Sequence, residues 1–239
     1  MNKTIQAIPI IHLAFAFIPV CAVITVQYLW SRAQRNTIYA VVRMLVQLLL
    51  VGYFLAYIFE TNNFLIVLTV LSVIVCAAGW IGLRPVHHRQ MRLYPKAVLA
   101  LIAGGATTLI LVTQVVLNLT PWYQPNYFIP LAGMIFANAM NSISLAADRL
   151  EAEIGRDVAY EQARNIAFRS SLIPITNSLF AVGIVSIPGM MTGQILSGVS
   201  PLIAARYQIM VMCMVFGAAG ISSACFLRLV RSDFTDASV

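Results

Sequence analysis

The stretch Val185-Ser-Ile-Pro-Gly-Met-Met-Thr-Gly-Gln-Ile-Leu-Ser-Gly198 lies inside an apolar run long enough to cross a bilayer, yet it carries helix breakers. Pro188 removes a backbone donor and crowds the preceding turn, Gly189 loosens the chain, and Gly193 and Gly198 follow closely. In lipid, broken backbone persists only where protein or a water-filled cavity covers it. Two readings stand: a Pro-kinked helix packed on its neighbours through small residues, or a discontinuous helix lining a transport path. Both place the segment inside a membrane bundle.

The remainder of the chain agrees with that setting. Of 239 residues, 60% are hydrophobic and only 10% charged, far from the balance of a soluble domain. Seven runs approach or exceed the roughly 17 to 25 residues that span a hydrocarbon core. They cover about 8–29, 37–59, 64–83, 97–118, 127–147, 172–197 and 202–227. The expected fold is all-α, a polytopic membrane helix bundle of about seven transmembrane helices forming one domain over 1–239. The first run is too long for a signal-peptide core and has no small-x-small cleavage site, so it reads as a retained span. Cys21, Cys76, Cys213 and Cys225 lie in apolar runs without paired spacing and read as core thiols.

Charge placement gives an orientation. Gaps on one side hold Arg32, Arg35, Arg84, Arg89, Arg92, Lys96, Arg149, Arg156, Arg164, Arg169, Arg228 and Arg231, which is 12 of the 15 basic residues. The other side has only Lys3, with the acidic Glu60 between spans two and three. By the positive-inside rule the N-terminus is outside and the C-terminus cytoplasmic, in a multi-pass protein of the plasma membrane. The net charge of +7 is therefore a membrane-topology signal rather than a nucleic-acid one.

Several function classes fall away. The chain contains no Gly-x-x-x-x-Gly-Lys-Ser/Thr phosphate cradle, so any ATP is used by another subunit. Lys3 and Lys96 sit at span edges, leaving no intramembrane lysine for a retinal Schiff base. His12 is the only histidine in a span and lies far along the chain from candidate nucleophiles such as Ser197 and Ser200. His87 and His88 are adjacent and sit among arginines, a poor metal site and a natural topology anchor with contact to anionic lipid. No catalytic or metal-ligating set is assigned, and no enzyme activity is expected.

Polar residues within the runs are the candidates for a path. Arg43 and Gln47 are four apart and share a helix face, and Arg206 lies inside the last run. Fixed positive charge on a path would repel bare metal cations and favour anions or complexed metal; snorkelling to the interface is the alternative. Gly133 and Ala137 form a small stripe beside Asn138 and Asn141, suited to close packing with interhelical hydrogen bonds or to a lining role. Met190 and Met191 are adjacent, so both cannot face one path in a regular helix. Between spans, 148–171 mixes charges with Leu150, Ile154 and Val158 at four-residue intervals, and Glu161 with Arg164 is spaced to pair. That segment reads either as a solvated helical hairpin or as a docking helix for a cytoplasmic partner.

The opening string, with Pro201-Leu-Ile-Ala-Ala-Arg-Tyr-Gln-Ile-Met-Val211, resembles the FetB-type permeases, membrane subunits of ATP-binding-cassette transporters. The likeness extends to Arg43–Gly52 with Gln47, to Pro130-Leu-Ala-Gly-Met-Ile with Asn138-Ala-Met, and to Leu172-Ile-Pro174 followed by Asn177. It implies a permease that pairs with a second copy and with a cytoplasmic ATPase that uses ATP and Mg, this chain binding no cofactor itself. Bacterial members are associated with iron export, plant members with aluminium tolerance and nucleotide-sugar transport. Site residues follow from it as expectations: a path or gate at Arg43, Gln47, Asn138, Asn141, Asn177, Pro188, Gly189, Met190, Met191, Gly193, Arg206 and Gln208. ATPase docking would involve Leu150, Glu151, Ile154, Gly155 and Val158, with Gly155 standing for the glycine of the coupling loop. The alternative class is an ATP-independent secondary transporter or channel for a small anion or complexed metal.

Overall fold

The computed structural model describes residues 9–31, 34–60, 63–86 and 90–235; Lys3, Arg32, His87, His88 and Arg89 lie outside them. The chain divides into two compact units, Met1–Thr61 and Asn62–Val239. In the first, α1 (Ile10–Phe15), α2 (Ile18–Trp30) and α3 (Gln34–Glu60) are helical, and α2 packs on α3. No residue of α2 is buried, as befits a span whose apolar side chains are solvated by lipid rather than by a protein core.

The second unit holds α4 (Phe64–Gly82), α5 (Gln90–Leu101), α6 (Thr107–Ile110), α7 (Pro125–Ile154), α8 (Tyr160–Ala181), α9 (Gly189–Leu196), α10 (Pro201–Leu229) and α11 (Arg231–Thr235). Among the described residues six helical rods, including Gln90–Val116 as one, are long and apolar enough to cross a bilayer. The protein is thus a polytopic helical membrane protein, with six such rods where seven runs were expected. The run 172–197 is divided between the end of α8, a non-helical stretch and the short α9.

Local chemistry sets the boundaries. Asn63 caps α4 by accepting a bond from the Leu65 N–H at 2.9 Å. Pro125 and Pro201 open α7 and α10, where the missing N–H is no loss. The rod Gln90–Val116 is loosened by π turns at Ile102–Ala106 and Leu111–Val116. Thr108 Oγ1 donates to the Gly104 carbonyl at 2.7 Å and Thr113 Oγ1 to the Leu109 carbonyl at 2.8 Å, so these hydroxyls are satisfied within their own rod.

The core is the seam of α7, α8 and α10, with α4 and the Gln90–Val116 rod against it. Phe136, Ile135, Ile143, Leu101, Leu109 and Phe226 are fully buried there. Close approach occurs at Gly104, where an added Cβ would stand 2.3 Å from Ser222 Oγ and 2.6 Å from the Ser222 backbone nitrogen. The expected small stripe at Gly133 and Ala137 is not a contact seam: a Cβ on Gly133 would meet nothing within 4 Å, and Ala137 is exposed. Cys21, Cys76 and Cys213 are exposed and Cys225 half-buried, so the cysteines sit toward the surface instead of in the core.

One end of this unit is basic and tightly stapled. The buried Asp233 carboxylate on α11 pairs with Arg92 at 2.6 Å and with Lys96, both on α5. Tyr160, which opens α8, donates its hydroxyl to the Leu227 carbonyl near the end of α10. Glu153 is buried at the end of α7 and pairs with Arg149 at 2.6 Å and Arg156 at 3.4 Å. Glu161, expected to pair with Arg164, faces Arg231 at 3.9 Å, while Arg164 bonds Asn165.

Candidate functional site

The break in the membrane crossing is wider than its prolines suggest. α8 ends at Ala181, and the chain from Val182 to Pro188 is not helical. Gly183 at φ 85° turns it, and its N–H finds the Ser186 carbonyl at 3.0 Å, while Val185 N–H reaches Ala181 O at 2.8 Å. Pro188 then caps α9 in extended conformation and Gly189 is its first residue. After eight residues α9 ends, with Gly198 at φ 93° leading to α10. The run is thus interrupted and not a single Pro-kinked helix.

Beside the break is a cavity of about 600 Å³ between α7, α9 and α10, with Leu117 at its edge. α7 contributes Asn126, Tyr127, Pro130, Leu131 and Met134; α9 contributes Met190 and Gln194; α10 contributes Ile203, Tyr207 and Met210, with Val199 from the turn. Its lining carries neither a charged side chain nor a histidine or cysteine. Among the described residues no three or more His, Cys, Asp or Glu side chains gather into a metal site. The Gln194 amide oxygen is buried without a hydrogen-bond partner. A volume of several hundred Å³ with mostly apolar walls and a few polar groups is the usual form of a small-molecule pocket.

A second, smaller cavity of about 90 Å³ lies between α7, α8 and α10 and has mixed polar and apolar walls. Asn138, Asn141, Ser142, Ser171 and Ser178 line it. Ser142 Oγ donates to the Ser171 carbonyl at 3.1 Å and lies 2.7 Å from Ser223 Oγ, while Asn138 Nδ2 donates to the Met134 carbonyl at 2.8 Å. Three helices are thus tied by hydroxyls at membrane depth.

The expected path residues divide among these places. Asn138 and Asn141 line the small cavity and Met190 the large one, whereas Met191 lines neither, in keeping with the opposed directions of adjacent side chains. Gln208 is only 6% exposed, and its amide oxygen is buried without a partner. Arg206, Gly193 and Asn177 are exposed and line neither cavity. Arg43 is half-buried and Gln47 exposed on α3 of the first unit. Gln194, Tyr207, Tyr127, Met134 and Met210 were not singled out from sequence; Gln194 lies alone on α9, and one-face spacing along α7 and α10 reads equally well as ordinary packing.

The 148–171 segment forms a helical hairpin: α7 runs on to Ile154, a turn covers 155–159, and α8 begins at Tyr160. Leu150 is fully buried in the core and so is not part of a free docking stripe. Glu151, Ile154 and Val158 are half-buried and Gly155 is exposed at the turn. At the same end, burial pushes the Tyr160 phenol above its ordinary range, while the positive charges of Arg164 and Arg231 pull it back and Asp233 adds to the rise.

Relatives share this chain's sequence over most of its length. UPF0014 membrane protein slr1647 of Synechocystis is 38% identical over 188 residues, covering 72% of this chain and 73% of that protein. Protein ALUMINUM SENSITIVE 3 of Arabidopsis thaliana is 34% identical over 202 residues, covering 78% and 72%. The probable iron export permease protein FetB of Escherichia coli is 30% identical over 211 residues, covering 81% and 80%. No solved structure is significantly similar to the chain. A family model described as an uncharacterised protein family, UPF0014, matches residues 10–235, and the chain, a multi-pass helical membrane protein, belongs to that family.

Proposed function

We propose that this chain is the permease subunit of an ATP-binding-cassette exporter for iron or another metal, working as a pair with a cytoplasmic ATPase that uses ATP and Mg. The observation that carries the reading is the interrupted crossing: backbone from Val182 to Pro188 leaves the helix beside a 600 Å³ cavity. A stable bundle gains nothing from such a break, since an unsatisfied backbone group in hydrocarbon costs several kcal/mol, about that of a lost hydrogen bond or more. A path that opens and closes does gain from it, because a short helix between two glycine turns can move without melting a long one. Kinship with a protein named as a probable iron export permease supports the cargo class.

The stapled basic end is the cytoplasmic one by the positive-inside rule, with the N-terminus outside. α7 spans 30 residues, or about 45 Å at the helical rise, so its basic end projects beyond a hydrocarbon core of about 30 Å. The turn around Gly155 is there the exposed element that an ATPase could press upon, Glu151, Ile154 and Val158 flanking it. Translocation requires no covalent chemistry from this chain. Vesicles holding this chain and its partner ATPase should hydrolyse ATP faster when iron is supplied and move iron in an ATP-dependent way. Replacing Gly155–Val158 by a Gly-Ser segment should abolish the stimulation; iron movement by the chain alone under an ion gradient would overturn the ATP-driven reading in favour of a secondary transporter.

A further inference from the structure

The large cavity combines three properties. It is roomy, it is electrically neutral, and it holds polar groups that the protein leaves uncommitted. Among the described residues the Asn126 amide and the Tyr127 and Tyr207 hydroxyls make no hydrogen bond, and the Gln194 amide oxygen has no partner. Asn126 and Tyr127 are exposed and can bond water, but the buried Gln194 amide oxygen costs free energy while unpaired, and with Tyr207 in the same lining it points to a ligand or water that pairs with it. Turning the Gln194 amide toward the cavity would gain a bond without breaking one.

The same walls argue against a bare ion. A divalent cation entering the cavity, even with its first shell of water, would leave bulk solvent for a lining without carboxylate, thiolate or imidazole to offset its charge. Met134, Met190 and Met210 supply thioethers, which suit soft monovalent metals and not iron. We propose that the 600 Å³ cavity takes its cargo as a neutral, oxygen-rich small molecule, a metal already wrapped in organic oxygen ligands included, rather than as a bare cation. This deepens the permease reading and rests on it for the direction of transport but not for binding. Apolar walls would cover the outer face of such a complex, while Gln194, Tyr207 and their neighbours would bond its oxygens or bound water.

The test uses the full chain in lipid nanodiscs, without ATPase, and equilibrium dialysis against three probes: iron(III) tris-maltolate, which is neutral, iron(II) alone and silver(I) alone. The tris-maltolate complex should be retained and the two ions not. Gln194→Leu removes an unpartnered oxygen, so it should fold at least as well, yet weaken retention about tenfold, with Tyr207→Phe acting in the same direction. Met134→Leu should change nothing. Preferential retention of either ion, equal retention by Gln194→Leu, or no retention of the complex would overturn the proposal. Iron-stimulated ATP hydrolysis persisting without retention would sink this inference alone; retention without any stimulated hydrolysis would sink the permease reading alone.

Discussion

Ser142 Oγ on α7 and Ser223 Oγ on α10 lie 2.7 Å apart in the buried seam that ties these helices to α8. Ser142 is the hub, because the same hydroxyl also donates to the Ser171 carbonyl at 3.1 Å. Polar bonds between membrane helices average about 0.6 kcal/mol and reach roughly 1.7 kcal/mol. Ser142→Ala should therefore destabilise more than Ser223→Ala, which leaves Ser142 its bond to α8. Thermal unfolding in detergent of both single variants and the double variant gives the coupling, which should be positive and close to 0.6 kcal/mol as an order of magnitude, about the mean for such pairs. Additive losses would show that the two hydroxyls do not act together.

Gly104 and Gly193 should respond oppositely to the same methyl group. At Gly104 the new carbon would collide with Ser222 backbone atoms at 2.6 and 3.0 Å, which no rotamer change can relieve. Gly104→Ala should cost about 1 to 3 kcal/mol and lower the unfolding temperature. At Gly193, inside α9, nothing lies within 4 Å and the backbone is helical, so Gly193→Ala should be neutral or stabilising by about 0.5 kcal/mol. If mobility of α9 serves transport, Gly193→Ala should lower the turnover of iron-stimulated ATP hydrolysis while leaving the fold intact.

The membrane bundle was legible in the sequence because apolar runs of span length report burial in lipid directly. The break at Pro188 was legible too, since proline and glycine act locally. Its true extent, from Val182, was not: Val182, Ile184, Val185 and Ile187 read as apolar membrane chain, although β-branching makes such a run a weak helix former that Gly183 can turn. The stripe Leu150–Ile154–Val158 was ambiguous for the opposite reason. Its period is helical, but α7 carries Leu150 into the core, and periodicity cannot tell a core from a partner. The large cavity was invisible because α7 and the later α9–α10 pair, distant in the chain, build it together. Only Met190 among its lining residues stood out in the sequence, and the neutrality of the lining exists only once those elements meet.

Tyr160 predicts an alkaline limit to stability. Its phenol is buried, with a raised pKa, and its neutral form donates to the Leu227 carbonyl. Because the folded-state pKa lies above the unfolded one, near 10 for tyrosine, the contribution is complete below about pH 10 and lost as pH rises through the folded value. The phenolate can neither donate that bond nor be buried cheaply. Tyr160→Phe should cost about 1 to 3 kcal/mol at neutral pH by orphaning the buried carbonyl, and should remove this part of the alkaline loss. An unchanged alkaline profile in the variant would show that other groups set the limit.

Asp233 holds the C-terminal helix against α5, and its removal should loosen that end first. The carboxylate is buried and reaches both Arg92 and Lys96, while Arg92 is largely exposed and so contributes less than its short distance suggests. Lys96 is the stronger partner, its side chain being 26% exposed. Asp233→Ala should therefore cost about 1 to 3 kcal/mol, the range for a hydrogen bond to a charged group, mostly through Lys96. Lys96→Ala should cost more than Arg92→Ala. Limited proteolysis of the Asp233→Ala protein should cut near Arg231 well before the wild type is cleaved, since α11 would open locally without global unfolding. Equal protection of both proteins would mean that the neighbouring apolar contacts of Phe234, itself buried, are enough to keep α11 in place.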